Sequence, residues 1–380
     1  PFEELDGDYN RNMLGDEFTL ADLELEGSLV GDEAEYAYAF EWDEYYAPRA
    51  LNRLLARGVR AKVASRPFKS VIANGAKDFD YGTVMIPMGV QDDPEMVHDL
   101  METITEEDGI TVYELPTGLT PTVGMDLGSG NFEDLRDPKV AIIGGPGTSS
   151  YEVGEAWHLF DQRYHMAASI ILAEEVGGLD LSRYNTIVTS GYGLSDSATE
   201  NLKSWVRQGG TLIAYRYGAN WAMSQDLADI EYVKRDNGEE GENEEPKQRP
   251  YVKAGPDRGA GVIGGSIFNA KLDLTHPIAY GFNREDITVF KSSTTFIKKG
   301  ENPYSTPLYY TEDPLAAGYS NDENLERAKN SGAIVISGYG GGRVIAMVDN
   351  PNFRAFWYGT NKLFANAVFF GHTISGGTTN

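Results

Sequence analysis

Apolar residues along the first third of the chain keep two different spacings. The runs AYAF (37–40), VRAKVAS (59–65), TVMIPMG (83–89) and ITVYELP (110–116) are short and nearly continuous, as in buried strands. Between them, APRALNRLLARG and DPEMVHDLMETITEEDG place apolar residues three and four apart, as in amphipathic helices. The first stops at Gly58, and the second is opened by Asp93 and Pro94. Strands alternating with helices predict a parallel sheet covered on both faces.

The Gly-rich bridge LTPTVGMDLGSGN (119–131) interrupts this pattern, which then restarts. KVAIIGG (139–145), NTIVTSG (185–191) and TLIAY (211–215) read as strands, separated by helices over SYEVGEAWHLFDQRYH and SATENLKSWVRQGG. Further on come a strand AIVISGYG, its hairpin partner GRVIAMVDN and a closing helix TNKLFANAVFFG. The expected organisation is an acidic, poorly periodic arm (1–33) with at most one short strand, a smaller α/β domain (34–136) and a larger α/β domain (137–380). The larger domain should be a doubly wound, mostly parallel sheet, with ligand crevices at the carboxyl ends of its strands. A charged, Pro-containing stretch at 234–250 reads as a solvated excursion.

Composition narrows the function classes. The chain has 380 residues, 41% of them hydrophobic, with 58 acidic against 32 basic residues and a formal charge of −26. Such an excess of negative charge argues against nucleic acid and anionic membrane as partners, because both are polyanions. Cysteine is absent, which removes disulfides, thiolate metal sites and thiol nucleophiles. No stretch approaches the eighteen or so apolar residues that a membrane span requires. The chain begins at Pro1 without a signal-peptide pattern, as expected for a processed product or a piece of a longer polypeptide.

Candidate chemistry gathers at strand ends. In TLIAYRYGANWA (211–222) an apolar strand breaks into a tight turn, as where α/β enzymes seat a nucleophile, yet the turn offers Arg216, Tyr217 and Gly218. GGPGTSSYEVGE (144–155) follows a strand and opens a helix. Its Gly145, Gly147, Ser149 and Ser150 form a tight turn, a pocket for a small anion or carboxylate, or a nucleotide site, although the glycines only approximate a dinucleotide fingerprint. On the following helix Glu155, His158, Asp161 and His165 lack a third ligand at suitable spacing, so no metal site is expected. In SGYGLSDS, Tyr192 follows a strand end, and Ser195 with Asp196 reads as a helix N-cap. His276 in THPIAYG is either a general base or a structural hydrogen-bonder. In DNPNFRAFWYGTNKLF, Arg354 sits among Phe353, Phe356, Trp357 and Phe364, either clamping a carboxylate near Asp349 or forming part of an interface.

The order KVAIIGGPGTSSYEVGEAWHLFDQRY, YNTIVTSGYG, LKSWVRQGGTLIAYRYGANWA, HPIAYGF and GGGRVIAMVDNPNFRAFWYGTNKLFANAVFF resembles the class I glutamine amidotransferase-like region at the carboxyl end of bacterial M14-family zinc carboxypeptidases. The upstream EYAYAFEWDEYYAPRALNRLLARGVRAKV and FDYGTVMIPMG resemble the α/β segment preceding it. The resemblance implies a flavodoxin-like (GATase1-like) fold and a secreted or periplasmic parent polypeptide. Zinc would be confined to an upstream peptidase domain, leaving this chain without a cofactor. Working class I amidotransferases carry Gly-x-Cys-x-Gly at the elbow, with His and Glu downstream; here Ala214 and Gly218 match the small positions and Arg216 the cysteine.

The leading expectation is therefore a non-catalytic accessory or ligand-binding module. Its partners would be the upstream peptidase domain, a second copy, or a peptide or small carboxylate held by Arg216 and the Gly144–Ser150 turn. The alternatives are a small hydrolase using Ser149, Ser150 or Ser190 as an oxygen nucleophile, and a structural dimerisation unit.

Overall fold

The computed structural model describes residues 26–121, 124–234 and 248–375, together with isolated positions between 8 and 19. Most of the arm before residue 26 and most of the 234–250 excursion lie outside the described residues. The protein is a mixed α/β structure with several sheets.

The first unit contains β1 (Ser28–Val30), β2 (Ala37–Phe40), α1 (Ala47–Ala56), β3 (Lys62–Ala64), β4 (Phe68–Ile72), β5 (Gly75–Phe79), β6 (Val84–Pro87), α2 (Pro94–Asp108), β7 (Thr111–Leu115) and β8 (Phe132–Asp134). Six of the strands form one sheet in the order β1-β7-β2-β6-β3-β8, and β4 pairs with β5 as a separate hairpin. This differs from the parallel sheet expected of alternating strands and helices. Only β1 and β7 pair in parallel, and the other four pairings in the sheet are antiparallel. The reason lies in the connections. Helix α1 joins β2 to β3 and α2 joins β6 to β7, each pair running in the same direction. Yet β6 is inserted between β2 and β3, and β2 between β6 and β7, as in split β-α-β units. Helix–strand alternation is the same whether or not a foreign strand is inserted. Strand β1, at the end of the expected arm, belongs to this sheet.

The helices are made where the sequence signals them. Asp93 caps α2 by accepting from the Met96 amide, and Gly109, at φ 67°, ends it. Asp108, whose side chain is fully buried, holds α1 against α2 by accepting from Arg49 Nε at 2.5 Å and Arg53 Nε at 3.1 Å.

The second unit contains β9 (Val140–Gly144), α3 (Ser150–His158), β10 (Ala168–Leu172), β11 (Thr186–Thr189), α4 (Asp196–Arg207), β12 (Thr211–Tyr215), α5 (Tyr217–Ser224), α6 (Ala254–Ala260), β13 (Ser266–Leu272), β14 (Asp286–Lys291), β15 (Leu308–Ala317), α7 (Asp322–Ala328), β16 (Gly332–Tyr339), β17 (Gly342–Met347) and α8 (Asn361–Phe369). Its nine-stranded sheet has the order β10-β9-β11-β12-β17-β16-β15-β13-β14. The first five strands in that order are parallel. The remaining pairings are antiparallel, so the sheet is mixed rather than mostly parallel.

The two units share one core. Trp42, from the loop after β2, packs against Phe369 and Phe370 with ring centroids 5.8 and 4.7 Å apart. Its Nε1 donates to Asn366 Oδ1 at 2.6 Å, while Asn366 Nδ2 donates to the carbonyls of Ile278 and Tyr280, both at 2.8 Å. Asn366 is fully buried. Every polar atom of its amide thus meets a partner, and one side chain ties the loop after β2 to α8 and to the turn after β13.

Candidate functional site

Strand β12 is wholly buried and delivers the chain to Arg216. There the backbone takes φ 53° and ψ −115°, outside the regions that non-glycine residues normally occupy, before α5 begins. Two contacts hold this turn. The Arg216 amide donates to the Met347 carbonyl at 2.8 Å. Gly218 packs so closely that a Cβ on it would lie 2.2 Å from the Thr189 carbonyl oxygen. The elbow geometry is therefore present, and its strained position is occupied by an arginine.

The side chain of Arg216 turns toward α3. Its Nε donates to Glu152 Oε1 at 3.0 Å, with the two side chains only 14% and 7% exposed. Glu152 lies in the first turn of α3, where the helix dipole favours an acid. The Glu152 carbonyl accepts from the Tyr215 hydroxyl at 2.5 Å, and Oε2 of its carboxylate has no protein partner. One turn further on, Glu155 accepts from the Arg354 amide at 2.8 Å and from the Asn350 side chain. Burial pushes the Glu155 carboxyl above the usual range, against the pull of those hydrogen bonds. The Arg216 guanidinium also lies 5.2 Å from the centre of the Tyr217 ring, which meets Tyr192 edge-on at 6.0 Å.

The structure thus brings Arg216, Tyr217, Tyr192, Glu155 and the Arg354 backbone together. The Gly-rich turn joins them through Gly147, whose carbonyl accepts from the Tyr192 amide at 3.0 Å. Gly145 and Gly147 take φ of 87° and 85°. A Cβ on Gly147 would lie 2.6 Å from the Gly193 carbonyl oxygen, so this loop and the one after β11 are pressed together. Ser149 caps α3 by accepting from the Glu152 amide at 3.5 Å, and Ser150 is its first residue. Ser195 caps α4 through the Ala198 amide, as its sequence setting indicates. His158 ends α3, and His165 stands at φ 49° beyond the following π-helical turn.

His276 belongs to a different place. It precedes the turn 277–279, and its Nδ1 accepts from the Ile278 amide at 3.1 Å. Burial lowers its pKa to about 4. Ser190 is buried, and its hydroxyl has no protein partner. Among the described residues, no histidine hydrogen-bonds to Ser149, Ser150 or Ser190. The aromatic cluster around Arg354 is divided. Phe364 is core, against Phe160 and Tyr215, whereas Phe353 stacks on Phe290 at 3.8 Å and Phe356 is exposed.

Beside the elbow lies a buried group that the sequence pattern does not announce. Lys291 Nζ donates to the Thr295 carbonyl at 2.9 Å, bonds the Tyr310 hydroxyl at 3.0 Å and meets Asp349 Oδ1 at 3.2 Å. Tyr310 also donates to Asp349 Oδ2. Burial lowers the Lys291 pKa, and Asp349 opposes that shift. Asp349 closes the apolar run of β17 and is visible in the sequence, but Lys291 ends a strand whose apolar pattern is too short to read.

Larger spaces lie elsewhere. A groove of about 1340 Å³ is lined by Asp43, Asn283, Arg284 and Asp286, and a smaller one of about 620 Å³ by Glu41, Asp80 and Tyr81; they share Asp43, Gly281, Phe282 and Asn283. Neither is lined by Arg216. No helix among the described residues is long and apolar enough to cross a membrane.

No protein-family model matches the chain, and no curated protein matches it. Among solved structures, it is similar to a β-galactosidase from Bacillus circulans sp. alkalophilus, at 15% identity and a TM-score of 0.32. That match covers 60% of this chain and 30% of the galactosidase, so the chain spans less than a third of its length. It is similar to a ThuA-like protein from Parabacteroides merdae at 14% identity, with a TM-score of 0.39 and coverage of 61% of this chain and 89% of that one. A ThuA-like protein from Bacteroides uniformis matches at 10% identity and a TM-score of 0.37, over 64% of this chain and 93% of that one. Likenesses this distant carry no argument about what the chain does.

Proposed function

We propose that this chain is a non-catalytic, class I amidotransferase-like module with a doubly wound, flavodoxin-like core, serving as an accessory part of a secreted or periplasmic M14-type zinc carboxypeptidase. The observation that carries the reading is the occupancy of the elbow. Arg216 holds the strained backbone that presents a nucleophile elsewhere, and its side chain is bound by Glu152. A guanidinium stays protonated throughout the physiological range and cannot attack a carbonyl. The loop after β17 places Asp349 and Asn350 beside the elbow rather than a histidine. Thiol-based glutamine hydrolysis thus lacks both its nucleophile and its base.

The carboxylate that Arg216 holds is the chain's own. A peptide terminus or small carboxylate would meet a largely buried guanidinium whose Nε is already paired, and would have to use its remaining N–H donors or displace Glu152, so the elbow works first as a structural joint. Zinc belongs to the upstream peptidase domain in this reading, and that domain is the principal partner. The test is glutamate release from glutamine by the purified chain, with no release expected.

A further inference from the structure

We infer that the chain forms a two-fold homodimer by antiparallel pairing of β10 with its copy, extending the nine-stranded sheet across the dyad. This inference rests on the sheet edge and is independent of the reading of the elbow. Strand β10 ends the sheet and, among the described residues, pairs only with β9. A free edge exposes a row of backbone donors and acceptors, and edges are ordinarily guarded by charge, proline, bulges or cover. β10 carries no charge and no proline, its pairing with β9 is regular, and among the described residues no other strand covers it. The stretch 166–173, MAASIILA, carries no charged residue in a chain of which 24% is charged. Ile170 and Leu172 are 52% and 40% exposed. The opposite edge of the same sheet, β14, begins with Asp286 in an ion pair to Lys271 at 2.8 Å.

The side chains fit a second copy. Ala168, Ile170 and Leu172 alternate onto one face, the face of α3, since a Cβ on Gly144 would meet both Ile170 and Val153. Only the register centred on Ile170 pairs all five residues of β10 with themselves. It sets Ile170 against Ile170 and Ala168 against Leu172, keeping the apolar face continuous. Trp157, one turn after Val153 on α3 and 41% exposed, extends that face. Charge agrees with this register. Two bodies of −26 repel, so they can meet only where charge is missing or matched. Here an uncharged strand meets an uncharged strand.

The test uses sedimentation equilibrium and oxidative cross-linking. The expected mass is twice 41.7 kDa, with dissociation weakening as salt screens the net charge. Ile170→Lys places a charge at the dyad on an exposed side chain and should raise the dissociation constant at least about 100-fold, through lost apolar burial and opposed charges. Circular dichroism checks that the variant remains folded. Because the chain has no cysteine, Ile170→Cys introduces its only thiol. Opposed strand residues lie within disulfide reach, so mild oxidation should give a covalent dimer. Tyr151→Cys, at an 81% exposed position, should not. A monomeric wild type at about 100 µM, well above the micromolar affinities common for interfaces, would overturn the inference. So would a dimer that survives Ile170→Lys, or equal cross-linking at positions 151 and 170.

Discussion

Arg216 Nε and Glu152 Oε1 lie 3.0 Å apart, joining the turn after β12 to the first turn of α3 with both side chains largely withdrawn from water. Removing one member of such a pair leaves an uncompensated buried charge, whereas removing both does not. Arg216→Met should cost about 3 kcal/mol of unfolding free energy, and adding Glu152→Leu should restore most of it. Urea unfolding of the two single variants and the double variant measures this. Additive losses would mean that the two residues stabilise the fold separately.

The elbow shows how far the sequence could be read. The apolar run at 211–215, the Gly after it and the helix beyond were legible because each is a local signal: burial, close approach and a change of period. Glu152 was not, because its role depends on contact with a residue 64 positions away in the sequence. In the first unit both helices and the strands β2, β3, β6 and β7 were equally legible, whereas the β4–β5 hairpin and β8 were not read; nor was the pairing, since inserting β6 between β2 and β3 leaves the sequence pattern unchanged. β10 and β13–β15 escaped notice for other reasons. ASIIL is an edge strand that exposes the apolar Ile170 and Leu172 along with Ser169, and β13 alternates buried with half-buried residues, including Asn269 and Lys271, that look like loop. Lys291 and Tyr310 sit on that unread part, and so the buried Lys291–Asp349–Tyr310 group was hidden with it.

Asn366 supplies both donors and the acceptor that join the loop after β2 to α8 and the turn after β13. Asn366→Ala leaves the Trp42 indole N–H and two carbonyls buried without partners. Each such orphan costs about 1–3 kcal/mol. A loss on the order of 3 kcal/mol or more is expected in urea unfolding, with weakened protection of the Trp42 indole proton against exchange. A variant as stable as wild type would show that the units hold together by apolar packing alone.

His276 gives the protein an acid-side instability. Its Nδ1 accepts from the Ile278 amide, which requires the neutral ring, and burial lowers its pKa from 6.5 to about 4. The unfolded state therefore binds the extra proton first. Stability is complete above about pH 6.5 and is lost as pH falls toward 4, by up to about 3 kcal/mol from this residue. His276→Asn keeps a side-chain acceptor without the titration. Unfolding midpoints compared between pH 7 and pH 4.5 should fall further for wild type than for the variant. Equal falls would assign the acid sensitivity to other groups.

The most direct test of the closed, non-catalytic elbow is glutamate release from glutamine by the wild-type chain and by Arg216→Cys, with an unrelated acidic protein as blank. Neither should exceed the blank. The wild type has no thiol, and a cysteine at position 216 would have no histidine hydrogen-bonded nearby to activate it, its pKa staying near about 8.5 or above. Release by the wild type would contradict the account outright. Release by the variant alone would mean that a base and an oxyanion hole survive around the turn, so that Arg216 disarms an intact site instead of completing a structural joint.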